Sequence, residues 1–355
     1  MEQSEIELDL SYDYFVDYSN YTNDNFTPTE EEMHFKPSKT CFAEFPCVIL
    51  LVVNVVIFLL GISGNAVVIW IAGLKMKKTV NTTWYLSLAI SDFILCACLP
   101  INIIHIATKE WLFGLFMCKF TSFVMFLNMF SSIFLLVIIS VDRCVSVMFP
   151  VWAQNHRTKG KSSVMVVMAW LSSVALSIPS VVFRDVQNLL GNNLCFNKYP
   201  DKQSQKMIAM SRFAAGFVIP FLLITFCYSV IILRLRTNRM MSRSSKPLKV
   251  MTALIATFFI CWLPYHVFVL LELNHQNHDL RVIKIGLQIG TIVATANSFL
   301  NPILYVFMGN DFQQKFKSSI LSKIENAIGE EGRTTSRYLS RSSSMEGSRR
   351  ASTHI

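Results

Sequence analysis

The chain has 355 residues, 52% of them hydrophobic and only 15% charged, with a formal net charge of +9. Soluble domains average about 25% charged residues, so this composition excludes a purely water-soluble protein and makes a bilayer the solvent. The positive charge falls mainly in short loops beside apolar segments, where anionic lipid headgroups account for it and no nucleic-acid partner is needed.

Residues 1–46 form a polar, acidic leader. From Met1 to Lys39, Glu2, Glu5, Glu7, Asp9, Asp13, Asp17, Asp24, Glu30, Glu31 and Glu32 face only Lys36 and Lys39, with Tyr12, Tyr14, Tyr18 and Tyr21 interleaved. Such a stretch cannot bury enough apolar surface to fold alone. It reads either as a solvated tail or as bait for a basic protein ligand, since acids with aromatics supply both charge and contact area. It lacks the apolar core of a signal peptide, so the first span is expected to serve as the insertion signal. Asn20 and Asn25 head glycosylation sequons.

Seven apolar stretches follow, over about 47–72, 82–107, 115–148, 162–183, 209–235, 248–272 and 282–307. Each exceeds the roughly 20 residues that cross a bilayer. The predicted fold class is all-α, a seven-transmembrane helix bundle over 47–308. The loops after the first, third and fifth spans carry Lys75, Lys77 and Lys78; Arg157, Lys159 and Lys161; and Arg239, Arg243 and Lys246. The positive-inside rule puts these loops in the cytoplasm, the N-terminus outside and the C-terminus inside. Asn81 also heads a sequon, but on the inner side, where it stays bare.

Of nine cysteines, Cys96, Cys98, Cys144, Cys227 and Cys261 lie in or at the inner ends of spans and read as packing residues. Cys41, Cys47, Cys118 and Cys195 face the oxidising side. A bridge between Cys118 and Cys195 would pin the second outer loop over the bundle. Cys41 and Cys47 either pair locally or stay free.

Polar groups within the spans are costly in lipid and therefore functional candidates. Asp92 is mid-span, with Asn65, Asn128, Ser132, Asn297, Ser298 and Asn301 at similar depth. They either glue the helices together or cage a small cation, which offsets the carboxylate's desolvation. Pro179, Pro220, Pro264 and Pro302 lie within spans four to seven and bend them. Arg212 is a cation inside the fifth span. It either snorkels to headgroups or clamps a carboxylate, from a peptide C-terminus or a fatty acid.

After the seventh span, Phe312, Phe316 and Ile320 recur at helical spacing among Lys315, Lys317 and Lys323. Residues 309–324 are thus predicted as an amphipathic eighth helix on the inner leaflet. Residues 325–355 read as a disordered tail whose hydroxyls, Ser342, Ser343, Ser344 and Ser352 among them, are phosphorylation candidates that would dock arrestin.

Gly64-Asn65, Leu88-Ala89 through Asp92, Asp142-Arg143-Cys144, Trp170, Pro220 with Tyr228, Cys261-Trp262-Leu263-Pro264 and Asn301-Pro302-Ile303-Leu304-Tyr305 stand one motif per span in chain order. The chain resembles the rhodopsin-like (class A) G-protein-coupled receptors. The Lys-Lys-Thr-Val-Asn loop at 77–81, Pro150 to Arg157, Phe183-Arg184-Asp185, Cys195-Phe196-Asn197, Tyr265-His266 and Leu271-Glu272-Leu273 narrow the resemblance to the chemoattractant branch, nearest the chemerin receptors.

The resemblance implies a plasma-membrane receptor, not an enzyme, for a chemoattractant peptide or protein. It also implies signalling through heterotrimeric G proteins of the inhibitory class and through arrestin. A lipid mediator of the prostaglandin D kind, a formyl or complement peptide, or an arrestin-biased scavenger role are the alternatives. It assigns an allosteric sodium ion to Asp92, Asn128, Ser132, Asn297, Ser298 and Asn301. Arg143, paired with Asp142, would be the latch that opens to admit a G-protein helix. Tyr228 and Tyr305 would swing toward Arg143, while Pro220, Ile133 and Phe258 form a connector beneath Trp262. Met125 and Phe126 stand where amine receptors carry an aspartate, which argues against a biogenic amine. Arg212, Arg184, Asn102, His105, Tyr265, His266, Glu272, Leu287 and Thr291 complete the expected ligand wall, with Lys198 and Lys284 adding positive field at the mouth.

Overall fold

The computed structural model describes residues 41–43, 45–189, 192–237, 245–274 and 279–308, together with Gln314 and Ser318. The sequons at Asn20 and Asn25, most of the acidic leader and the tail serines Ser342, Ser343, Ser344 and Ser352 lie outside the described residues. So do Arg239, Arg243, nearly all of the expected eighth helix at 309–324 and the side chain of Tyr305.

Ten α-helices and one β-hairpin are described in these residues: α1 Phe45–Trp70, α2 Val80–Thr108, α3 Gly114–Met148, α4 Pro150–His156, α5 Lys159–Ser177, α6 Pro179–Val182, β1 Arg184–Leu189, β2 Asn192–Asn197, α7 Lys202–Phe213, α8 Ile219–Thr237, α9 Ser245–Glu272 and α10 Leu280–Met308. A π-helical turn, Ile71–Lys75, continues α1, and a second, Ala214–Val218, joins α7 to α8. Together these make seven rods long and apolar enough to cross a membrane. Their ends fall within a few residues of the sequence-based spans at every helix but the fifth.

Polar caps set the helix starts. Thr79 accepts from the Thr82 backbone N–H at 3.2 Å while the Thr82 hydroxyl accepts from the Thr79 N–H at 2.6 Å, a reciprocal capping box that begins α2. Asp201 accepts from the Ser204 N–H at 2.6 Å and starts α7. That backbone bond holds the exposed Asp201 carboxyl below the ordinary aspartate range. The cap explains why the fifth rod begins at Lys202 and not near residue 209: its first two turns are polar and stand beyond the apolar band. Pro179 takes the first position of α6, so the fourth rod is broken and restarted there.

The third rod is the hub. In its most apolar window 78% of residues are buried, against 22% for the fourth rod. Val164, Val167, Met168 and Leu171 of α5 are exposed, as are Leu222 and Phe226 of α8. This is the distribution expected of a bundle whose outer surface meets hydrocarbon. The main core runs from Trp84 and Leu88 through Met129, Phe130 and Ile133 to Phe258 and Trp262. Trp170 reaches from α5 to donate to the Ser87 hydroxyl on α2 at 2.9 Å.

At one end of the bundle β1 pairs antiparallel with β2, Arg184 opposite Asn197 and Val186 opposite Cys195. The hairpin was not foreseen from the sequence, because its residues show no apolar alternation. It is held by the Cys118–Cys195 disulfide to the start of α3, and by the Trp111 N–H donating to the Asn193 carbonyl at 2.8 Å. Of the two options open for Cys41 and Cys47, the structure takes the local pair. The opposite end carries Lys75, Lys77, Lys78, Arg157, Lys159 and Lys161 in and beside its loops.

Candidate functional site

Four layers of functional side chains run along the bundle axis. The first is a cleft of about 390 Å³ at the hairpin end, counted with its open mouth. Its walls are Asn197, the last residue of β2, and Tyr199 just after it; Gln205, Ala209 and Arg212 of α7; Tyr265, Val269, Glu272 and Leu273 at the end of α9; and Leu287 of α10. Arg212, Tyr265, Glu272 and Leu287 were expected there and the other six were not. The missed signal was the Gln205, Ala209, Arg212 spacing, which lines one helical face once α7 is known to start at Lys202.

Arg212 does not snorkel outward. Its residue is 9% exposed, its guanidinium carbon lies 3.8 Å from the centroid of the Phe126 ring, and Nη2 donates to the Ser180 hydroxyl at 3.1 Å. Its Nε is buried without a partner. The ring face attracts the cation inward, so the span-five arginine becomes the charged base of the cleft.

Arg184 is also buried, and its Nε donates to the Ser122 hydroxyl at 2.7 Å. Lys198 pairs at the surface with Asp185 at 3.2 Å. His105 packs edge-on against Trp111 near the hairpin disulfide, 5.3 Å between ring centroids. Asn102, Met125, His266 and Thr291 are buried and do not line the cleft.

The second layer is an aromatic floor. Tyr265 meets Phe126 at 6.3 Å and Trp262 edge-on at 5.8 Å, and Trp262 lies 6.0 Å from Phe258. Trp262, Phe258 and Ile133 have no exposed surface, and Pro220 of α8 is buried as well. Next to this floor α10 closes on the Pro264 bend so tightly that a Cβ at Gly290 would come within 2.8 Å of the Tyr265 backbone nitrogen.

The third layer is polar. Asp92 is fully buried and accepts from Asn128 Nδ2 at 2.9 Å and from Asn301 Nδ2 at 2.8 Å, one on each oxygen. Asn128 also donates to the Ser91 hydroxyl at 3.0 Å, and Asn65 Nδ2 donates to the Ser298 carbonyl at 2.9 Å. Meanwhile Ser132 Oγ, Asn128 Oδ1 and Asn297 Oδ1 are buried with no partner. A buried carboxylate with orphaned neutral oxygens nearby fits a hard cation, which takes oxygen ligands. Among the described residues no group of three or more His, Cys, Asp or Glu offers a softer metal site.

The fourth layer, at the basic end, corrects an expectation. Asp142 is not paired with Arg143. It accepts from Arg157, at the end of α4, through Nε at 2.8 and 3.1 Å and Nη2 at 2.8 Å. Arg143 Nη2 instead donates to Asn81 Oδ1 at 2.7 Å, an oxygen it shares with Arg157 Nη2 at 2.6 Å. Neighbouring residues on a helix point about 100° apart, so Asp142 and Arg143 diverge, and the forked donor from α4 matches both carboxylate oxygens. Tyr228 is half-buried against the main core, and Cys144 is half-buried where the expected latch opens.

A ligand cleft, an aromatic floor, a polar core and a charged network thus lie on one axis through seven membrane-spanning rods. Residues 64–305 match the family model described as 7 transmembrane receptor (rhodopsin family). The chain is 44% identical over 303 residues to chemerin-like receptor 1 of Homo sapiens, covering 80% of this chain and 81% of that protein. It is 41% identical over 340 residues to chemerin-like receptor 1 of Sus scrofa, covering 89% and 92%. Against the C3a anaphylatoxin chemotactic receptor of Danio rerio it is 38% identical over 332 residues, covering 92% and 91%. The chain therefore belongs to the rhodopsin family of seven-transmembrane receptors, multi-pass proteins of the plasma membrane that couple to G proteins and are not enzymes.

Proposed function

We propose that this receptor detects a chemoattractant peptide or protein of the chemerin kind, whose C-terminal carboxylate seats on Arg212 at the base of the hairpin-side cleft. The observation that carries this is the Arg212 guanidinium, buried over Phe126 with Ser180 as its one hydrogen-bond acceptor among the described residues and Nε unpaired there. A buried cation with only a neutral hydroxyl as acceptor is costly, and an anionic ligand offsets that cost. The naming of several relatives as chemerin-like receptors supports the ligand class. A fatty-acid ligand would satisfy Arg212 equally but would lay hydrocarbon against Asn197, Gln205 and Glu272, so the polar walls favour a peptide.

In this reading the hairpin end faces outward and the basic end faces the cytoplasm. Ligand over Trp262 biases the aromatic floor, and sodium at Asp92 favours the unliganded packing, the differential affinity that a two-state device requires. An inhibitory G protein and arrestin receive the signal at the end where Asp142 and Arg143 lie. The test compares a synthetic peptide copying the last residues of human chemerin, as free acid and as C-terminal amide, on wild type and Arg212→Ala. The free acid should be the stronger agonist on wild type, and the preference should vanish in the variant. Equal potency of acid and amide on wild type would refute the carboxylate seat.

A further inference from the structure

Asn81 heads a sequon on the inner side and has no role in the reading above, yet it is the acceptor on which the basic end converges. It is the second residue of α2, and its Oδ1 accepts from Arg143 Nη2 at 2.7 Å and from Arg157 Nη2 at 2.6 Å. The threonines that complete the sequon are used at the same helix end. Thr82 closes the capping box with Thr79, and the Thr83 hydroxyl donates to the Thr79 carbonyl at 3.0 Å.

The charges around Asn81 do not balance. Both Asp142 oxygens are taken by Arg157. Among the described residues Arg143 has Asn81 Oδ1 as its one hydrogen-bond acceptor, and its Nε is buried with no partner. Two guanidinium groups therefore meet on one neutral oxygen, and like charges held side by side repel. A carboxylate at position 81 would be favoured twice, by the two cations and by the partial positive charge of a helix's first turn. The first turn of α2 nonetheless has no acid. Arg143 is thus tethered by the weaker of two acceptors of the same shape, one that fixes its direction and still releases it. When Asn81 changes, Arg157 stays anchored on Asp142, whereas Arg143 loses its acceptor.

We propose that Asn81 is a positioning residue for G-protein coupling: its amide oxygen holds Arg143 in the packing described here, and its lack of charge sets how readily Arg143 leaves for a docking G-protein helix. The inference rests on the reading that a G protein docks at the basic end and is independent of the Arg212 seat.

The experiment measures ligand-free nucleotide exchange by purified receptor in nanodiscs, at matched receptor density, on each class of heterotrimeric G protein in turn. Asn81→Leu keeps the shape and removes the acceptor; Asn81→Asp keeps the acceptor and charges it. The leucine variant should raise basal exchange about 3- to 10-fold, the worth of one partly screened hydrogen bond to a charged group. The aspartate variant should hold it at or below the wild-type level. Loss of folded receptor lowers exchange and so does not imitate the rise. No rise in Asn81→Leu on any class, or a rise in both variants, would overturn the proposal.

Repeating both changes on Arg157→Ala separates the two arginines that share the oxygen. There Asn81→Leu should raise exchange again and Asn81→Asp should lower it; a leucine change without further effect would mean that Asn81 acts through Arg157, and the proposal would fall. Wild type that responds to the chemerin C-terminal peptide while Asn81→Leu leaves basal exchange unmoved removes this proposal alone. Wild type silent to the peptide on every class, with both variants unmoved, removes the coupling reading along with it.

Discussion

Replacing Arg157 by Ala should raise ligand-independent signalling. Arg157 makes three contacts to the two Asp142 oxygens and a fourth to Asn81, at 2.6 to 3.1 Å, with side-chain exposures of 28% for Arg157 and 13% for Asp142. Buried hydrogen bonds to charged groups are worth about 1.5–3 kcal/mol, and fully exposed ion pairs about 0.2–1 kcal/mol. A partly screened, forked pair belongs between these, at about 1–2 kcal/mol. If that stabilisation is confined to the packing described here, losing it raises the active population about 5- to 30-fold.

The assay is basal guanine-nucleotide exchange on an inhibitory G protein by receptor in nanodiscs, at matched receptor density. Arg157→Lys keeps the charge without the fork and should fall between the two. Asp142→Asn should raise basal exchange too, and the double variant should go no further, because both remove the same contact. Basal exchange equal to wild type in Arg157→Ala, or full additivity with Asp142→Asn, would refute the clamp.

Asp92→Asn should abolish the effect of sodium on agonist affinity, read by comparing sodium with N-methylglucamine buffer; a retained sodium effect would place the ion elsewhere. Gly290→Ala forces a methyl against the Tyr265 and Pro264 backbone and should cost about 1–3 kcal/mol by overpacking, seen as a lower melting temperature in detergent; an unchanged melting temperature would mean that α9 and α10 separate freely. Cys118→Ser should release the hairpin over the cleft and reduce ligand binding more than surface expression, measured by cytometry and radioligand together; normal binding would mean that the tether to α3 is dispensable.

The seven rods were legible because lipid demands long apolar runs, and the similar depth of Asp92, Asn128 and Asn301 within their spans pointed to the polar core in which the carboxylate accepts from both amides. Arg212 was recognisable as anomalous, but its destination depended on Phe126, 86 positions earlier in the chain and identifiable as a partner only after folding. The clamp on Asp142 failed to show for the same reason: Arg143 is adjacent in sequence, whereas the true partner, Arg157, comes within reach only when α4 turns back beside the end of α3. Hydropathy likewise marks the apolar band and not the helix, so the polar first turns of α7, with Gln205 on the cleft, passed as loop. The hairpin lacks the alternation that announces a strand, because its register is set by the disulfide tether and its pairing and not by a buried face.

The central claim is that a carboxylate-bearing peptide entering at Arg212 changes what the far end of the bundle does. Its most direct test is agonist-stimulated nucleotide exchange by purified receptor and an inhibitory G protein in one nanodisc, with the chemerin C-terminal peptide as free acid. Wild type should accelerate exchange at saturating peptide, and Arg212→Ala should need far more peptide to reach the same maximum. If wild-type receptor leaves exchange unchanged at every peptide concentration, the coupling between cleft and basic end is contradicted.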